Sequence, residues 1–116
     1  MALMSVVLPS YNEEANVERA AEVIGGILQE AGIEYELVFV SDGSKDKTFA
    51  IVRELSAKDA RVQGIQFSRN FGKESAVFAG LEVSKGDCVA VMDCDLQHPP
   101  ETLVEMYRCW EEGYEV

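Results

Sequence analysis

The sequence predicts an α/β fold, a mostly parallel sheet with helices on both faces, in one domain covering residues 1–116. Three observations carry that expectation. Short β-branched runs alternate four times with longer stretches whose apolar residues recur every three or four positions. Each run is followed by a polar loop and then a helical pattern, the order that places successive strands parallel with right-handed crossovers. With 47% hydrophobic residues in a length of 116, the chain can bury roughly two-thirds of its unfolded surface, enough for one real core.

Ser5-Val6-Val7-Leu8 reads as a first strand ended by Pro9, which has no N–H to give a ladder. From Asn12 the pattern is helical. Val17, Ala20, Ala21, Ile24, Ile27, Leu28 and Ala31 share a face, Asn12 is placed to cap, and Glu13 and Glu14 fall in the first turn, where the helix dipole favours acids. Gly32 stops it. Tyr35 to Val40 is a second strand, followed by the turn Ser41-Asp42-Gly43-Ser44 and a helix opening near Asp46, with Phe49, Val52 and Leu55 as its buried stripe. Val62 to Phe67 is a third strand, made less apolar by Gln63 and Gln66; a helix from Lys73 to Ser84, weakened by Gly80, comes next. Asp87 to Met92 is a fourth strand whose apolar run predicts cover on both faces. After Pro99-Pro100 a last helix carries Leu103, Met106, Tyr107 and Trp110, the two aromatics as core, and ends at Gly113.

Charge and composition remove several functions. Ten Lys+Arg stand against twenty-one Asp+Glu, a net charge of −11, so the clustered cations of a nucleic-acid surface are missing. A nucleotide held through a divalent cation stays compatible with that balance. No apolar run approaches the roughly 18–20 residues needed to cross a bilayer, and Met1-Ala2-Leu3-Met4 has no basic flank or cleavage site of a secretory signal. Cys88, Cys94 and Cys109 are odd in number and form no CxxC pair, so they read as reduced thiols of a cytoplasmic protein, packing as small hydrophobes. Neither a Gly-x-Gly-x-x-Gly after the first strand, a Gly-x4-Gly-Lys-Ser/Thr, nor a Gly-x-Ser-x-Gly occurs.

In parallel sheets ligands bind beyond the carboxyl ends of the strands, which directs attention to the four loops there. Asp93 and Asp95 stand two apart at the end of the fourth strand, so an extended backbone projects both to the same side, and Gln97 adds an amide oxygen two residues on. Two such carboxylates repel unless a cation lies between them, and hard oxygen donors suit Mg²⁺ or Mn²⁺. A polar loop that merely caps the next helix is the plainer reading. Asp42 can accept from a ribose hydroxyl or a base imide, or from its own turn, with Gly43 supplying positive φ. Tyr11 offers a flat face for a base, and Glu13 can bond a ribose or complement a helix N-terminus. Arg69 and Lys73 can meet a diphosphate, pair with the acidic cluster or stand as solvated cations; His98, beside two prolines, reads as a turn residue.

Pro9-x-Tyr11-Asn12-Glu13, Asp42-Gly43-Ser44-x-Asp46-x-Thr48, Arg69-Asn70-x-Gly72-Lys73 and Asp93-x-Asp95-Leu96-Gln97-x-Pro99-Pro100-Glu101 together resemble the ordered motifs of family 2 glycosyltransferases, and most of all the dolichyl- or polyprenyl-phosphate sugar synthases. The resemblance covers essentially the whole chain. It implies the GT-A nucleotide-diphospho-sugar transferase fold (Rossmann-like), here truncated, with a UDP- or GDP-sugar donor and Mg²⁺ or Mn²⁺ as cofactor. By the same resemblance Pro9, Tyr11, Glu13, Asp42 and Asp93 hold the nucleotide. Asp93, Asp95 and Gln97 hold the metal, Asp95 being the principal ligand and the catalytic residue, and Arg69 and Lys73 are candidate phosphate contacts. The family often has Asp-Asp-Gly-Ser where this chain has Ser41-Asp42-Gly43-Ser44, so one acidic neighbour is absent while the nucleoside-contacting position matches Asp42.

In such enzymes the chain continues past a segment like Gly113-Tyr114-Glu115-Val116 into the acceptor-binding part, often with membrane helices. The expectation is therefore an N-terminal fragment that binds donor without turnover, from a parent on the cytoplasmic face of a membrane. The parent's reaction would be an inverting transfer to a polyprenyl phosphate, already anionic and in little need of a general base. A homo-oligomer is compatible with all of this. The competing expectation is a haloacid-dehalogenase-like phosphohydrolase with Asp93 as nucleophile and Asp95 as acid/base; it wants Thr or Val where Gln97 stands, and an earlier place in the chain.

Overall fold

A computed structural model describes residues 2–113; Tyr114 to Val116, part of the segment likened above to the family's continuation, lie outside the described residues. The elements alternate strictly: β1 (Leu3–Ser10), α1 (Val17–Glu30), β2 (Glu34–Ser41), α2 (Thr48–Lys58), β3 (Val62–Gln66), α3 (Lys73–Val83), β4 (Cys88–Val91) and α4 (Thr102–Glu111). The four strands form one sheet in the order β3-β2-β1-β4, with every neighbouring pair parallel. Leu3 pairs with Glu34 and Ser10 with Ser41 across the two central strands, so their carboxyl ends finish level.

Period-two alternation decides which layer each strand residue joins. Met4, Val6 and Leu8 of β1, with Leu37 and Phe39 of β2, pack against Val17, Ala20, Ile24 and Leu28 of α1, Val52 of α2, and Leu103 and Tyr107 of α4. Val7, Val38 and Val40 point the other way and meet Ala76 of α3. Helices thus cover both faces of the sheet, as the sequence predicts. Gly80 explains itself here: it is buried, and a Cβ on it would overlap Val7 Cγ1, so the glycine lets α3 sit close on the sheet.

Several boundaries differ from the sequence expectation. Pro9 does not end β1, which runs on to Ser10 with Pro9 in register with Val40. The first helix begins at Val17 rather than Asn12, so Glu13 and Glu14 precede it, because Asn12 adopts φ +52 and spends its side chain elsewhere. β4 is fully covered on one face, where Cys88 and Ala90 are buried, and only in part on the other: Val89 packs against the Val7 cluster, but Val91 is 42% exposed, since β4 ends the sheet and α3 lies mainly over β1 and β2. Tyr107 is core and Trp110 is half-buried against it, the ring centroids 5.7 Å apart. The three cysteines are free; Cys88 and Cys94 are buried, whereas Cys109 faces solvent. Among the described residues no helix is long and apolar enough to cross a membrane.

Candidate functional site

The four strand-end loops are fastened to one another. Between the first and second, Asn12 N–H donates to Ser44 Oγ (3.1 Å), Lys45 N–H to Asn12 Oδ1 (2.9 Å), Glu13 N–H to Thr48 Oγ1 (2.8 Å) and Glu14 N–H to Asp46 Oδ2 (3.2 Å). Asn12 is therefore a lacing residue between loops, which is why it does not cap a helix. Asp46, two residues before α2, holds the helix's first residue, its Oδ1 accepting from both the backbone N–H (2.9 Å) and the hydroxyl of Thr48. Burial opposes ionisation of Asp46, yet the hydrogen bonds from Thr48 and from the Glu14 backbone outweigh it and hold its carboxyl below the usual range.

Asp42 joins the second loop to the third. Its carboxylate is buried and accepts from Phe71 N–H at 2.8 Å, Gly72 N–H at 3.0 Å and Asn70 Nδ2 at 3.2 Å. The turn partner considered from sequence is thus replaced by a backbone about thirty residues away. Gly43 has φ +68, and a Cβ there would run into the backbone of Arg69 and Asn70, so the two loops can touch only because position 43 is glycine. Ser41, where the family motif often has an acid, is fully enclosed, and its hydroxyl has no hydrogen-bond partner among the described residues. A charge at that position would be buried.

Lys73, the first residue of α3, reaches the fourth loop: its Nζ lies 2.7 Å from Asp93 Oδ1. Beyond β4 the period-two alternation continues. Met92, Cys94 and Leu96 belong to the core side, while Asp93, Asp95 and Gln97 are the more exposed members between them. The extended backbone on which a shared direction of the two carboxylates depended does not continue: Cys94 and Asp95 sit in a turn closed by Leu96 N–H on the Asp93 carbonyl, Leu96 has φ +58, and Asp95 Oδ1 accepts from Gln97 N–H at 3.2 Å. Burial pushes the Cys94 thiol up to about 12, against a Ser10 hydrogen bond that pulls the other way, so it is an inert anchor between the two acids.

The remaining candidates stand around this rim. Tyr11 is 44% exposed in the first loop, and Pro9, two residues before it, is half-buried. Glu13 is engaged locally, its Oε2 accepting from Asn16 Nδ2 at 2.6 Å. Arg69 is exposed, with its guanidinium 4.7 Å from the Phe71 ring centroid. A cleft of about 280 Å³ beside Asp93 is walled by Lys73, Val91, Met92, His98 and Met106. A larger hollow of about 500 Å³, lined by Gln29, Tyr35 and Arg61, opens at the opposite end of the sheet. It is the wrong end for ligand binding in a parallel sheet, and Arg61 there is committed to Asp59 and the Tyr35 ring.

Carboxylate and amide oxygens, which Asp93, Asp95 and Gln97 carry on the half-buried to exposed positions of the fourth loop, are the donor type that suits a hard divalent cation. Among the described residues no three His, Cys, Asp or Glu side chains converge into a complete cage. Sequence reading missed the lacing roles of Asn12, Ser44, Thr48 and Asn70; short polar side chains in consecutive loops were the available signal.

The sequence model of glycosyl transferase family 2 matches residues 5–116. An uncharacterized glycosyltransferase of Bacillus subtilis is 46% identical over 112 residues, 97% of this chain and 35% of its own length. An undecaprenyl-phosphate 4-deoxy-4-formamido-L-arabinose transferase of Aeromonas hydrophila is 35% identical over 115 residues, 98% of this chain and 35% of its own. Among solved structures, a Pyrobaculum calidifontis mannosyltransferase in complex with GDP-Man and Mn²⁺ superposes with TM-score 0.74 at 22% identity, covering 92% of this chain and 31% of that one. S. aureus TarS in complex with UDP gives TM-score 0.72 at 26% identity over 94% of this chain and 32% of that one. The chain spans about 35% of the length of the curated relatives it matches.

Proposed function

The chain belongs to glycosyl transferase family 2, and from that premise we propose that it supplies the donor-binding part of an inverting glycosyltransferase, acting on a UDP- or GDP-sugar with Mg²⁺ or Mn²⁺. The proposed acceptor is a polyprenyl phosphate. The observation that carries this reading is the convergence, at one end of the sheet, of four interlocked loops with Asp93 and Asp95 on the outward side of the last. The fold shared with structures holding GDP-Man and Mn²⁺ or UDP supports the donor class, and the undecaprenyl-phosphate relative supports the acceptor class.

Each residue then has a task that its placement allows. Tyr11 presents its exposed ring to the base, and Pro9, half-buried two residues earlier, adds an apolar surface to the same loop. Asp42 Oδ1 accepts one bond within the chain and has capacity left for a base imide or ribose hydroxyl. Asp93, Asp95 and Gln97 would hold the divalent cation, with Asp95 the principal ligand; when bound, that ion neutralises charge developing on the departing diphosphate. Arg69 and Lys73 add positive charge to the phosphate side of the rim. A polyprenyl phosphate attacks the anomeric carbon from the opposite face as an anion and needs little general-base help, in keeping with a chain whose one histidine, His98, is exposed on the fourth loop. Donor and lipid acceptor would meet at the cytoplasmic face of a membrane. The family match lends nothing to a phosphohydrolase built on Asp93 and Asp95.

Calorimetric titration of the 116-residue chain with UDP and with GDP, with and without Mn²⁺, tests the reading. Binding of one of them that requires Mn²⁺ and drops at least tenfold in Asp95→Asn is expected. Metal-independent binding that Asp95→Asn leaves unchanged would overturn it. Incubation with UDP- or GDP-sugars and polyprenyl phosphate separates donor binding from turnover.

A further inference from the structure

We propose that Lys73 is a resident cation on Asp93 that competes with the divalent ion, so that the ion binds firmly only together with a nucleoside diphosphate. This rests on the metal reading above. Three ion pairs occur among the described residues; two are local, Arg61–Asp59 and Arg108–Glu111, and the third, Lys73–Asp93, alone joins two strand-end loops. Its 2.7 Å separation places an ammonium directly on one of the two carboxylates of the donor set. A divalent ion arriving by itself meets a carboxylate already neutralised, with a positive charge beside it.

The exchange needs no movement of the backbone. Phe71 and Gly72, immediately before Lys73, are tied by their N–H groups to Asp42, so the start of α3 is fixed to the second loop. The Lys73 side chain is 62% exposed and has a flexible four-carbon stem, so it can swing from Asp93 to another anion by rotation alone. A diphosphate supplies that anion. It gives the ammonium a new partner while the divalent ion takes over Asp93, and the metal and nucleotide thereby favour each other's binding. Asp42, the proposed nucleoside contact, is bonded to the residues next to Lys73, which puts base recognition and cation release on one short piece of chain.

The probe is Mn²⁺ alone, followed by the electron paramagnetic resonance signal of the free ion in the presence of the 116-residue chain. Lys73→Met and Lys73→Gln should each bind Mn²⁺ two- to fivefold more tightly than wild type, roughly the range an exposed ion pair spans. At saturating Mn²⁺ the same variants should bind UDP or GDP more weakly by a similar factor. Lys85→Met removes the same charge at the far end of the sheet and should change neither, which separates pairing from net charge. Mn²⁺ affinity equal to or below wild type in both Lys73 variants, with Asp93→Asn still weakening it, would overturn the competition and leave the metal site standing. Wild-type Mn²⁺ affinity in Asp93→Asn would overturn the metal assignment itself.

Discussion

Replacing Asp42 by alanine separates the two tasks that converge on this carboxylate. It receives hydrogen bonds from Phe71 N–H, Gly72 N–H and Asn70 Nδ2 at 2.8, 3.0 and 3.2 Å. Bonds to an ionised acceptor contribute about 1.5–3 kcal/mol each when well shielded. The Asn70 amide is exposed and can turn to water, so it adds little. The two backbone donors are part-buried, and about 1–1.5 kcal/mol each is the fitting figure, for a total of about 2–3 kcal/mol. At roughly 2.1 cal/mol/K of unfolding entropy per residue, that is a fall in Tm of about 8–12 °C for a chain of 116 residues. Thermal unfolding followed by circular dichroism without any nucleotide measures it, and nucleotide titration of the same variant measures the ligand role. An Asp42→Ala protein that melts within about 2 °C of wild type would refute the fastening role and leave Asp42 as a ligand only.

Two further outcomes follow from packing and burial. Gly80→Ala should destabilise by about 1–2 kcal/mol despite alanine's better helix propensity, because its Cβ would overlap Val7 Cγ1; in a Val7→Ala background, which carries its own cost for the lost buried methyls, Gly80→Ala should cost far less by urea unfolding, and an unchanged cost there would locate the strain elsewhere. Cys94, with its thiol pushed from 9.0 up to about 12 by burial, stays protonated in the folded chain while the unfolded chain ionises from about pH 9. Stability from this thiol is therefore complete below pH 9 and falls with rising pH, by as much as about 1.4 kcal/mol per pH unit, through the folded value. Cys94→Ala should flatten the decline in urea midpoint between pH 9 and 11 relative to wild type; parallel declines would count against it. Tyr35 and Tyr107, also raised mainly by burial, titrate in both proteins and cancel.

Much of the architecture was readable because it rests on local periodicity. The face shared by Val17, Ala20, Ile24 and Leu28 depends on spacing alone and survives in the structure. What escaped depends on partners distant in sequence. Asn12 looks like a cap until Lys45 and Ser44 claim it from the second loop, and Asp42 looks self-contained until Phe71 and Gly72 arrive. Gly80 reads as a weakness in a helix until Val7 is found beneath it. The cover over β4 could not be read from its own apolar run either, because sheet order decides which strand is at the edge. At the site, the acids were legible as candidates, but the choice of Asp93 as Lys73's partner over a free surface role was settled only by the fold.

The lacing of the loops bears on the thermodynamics of any ligand they receive. Loops that acquire order only on binding subtract that ordering from the affinity and add a large negative heat-capacity change. Here Asn12, Asp42 and Asp46 already hold their neighbours in place, so the entropy of ordering this rim is spent when the chain folds. Nucleotide binding should then show a heat-capacity change set by the buried base face alone, and an affinity that varies gently with temperature.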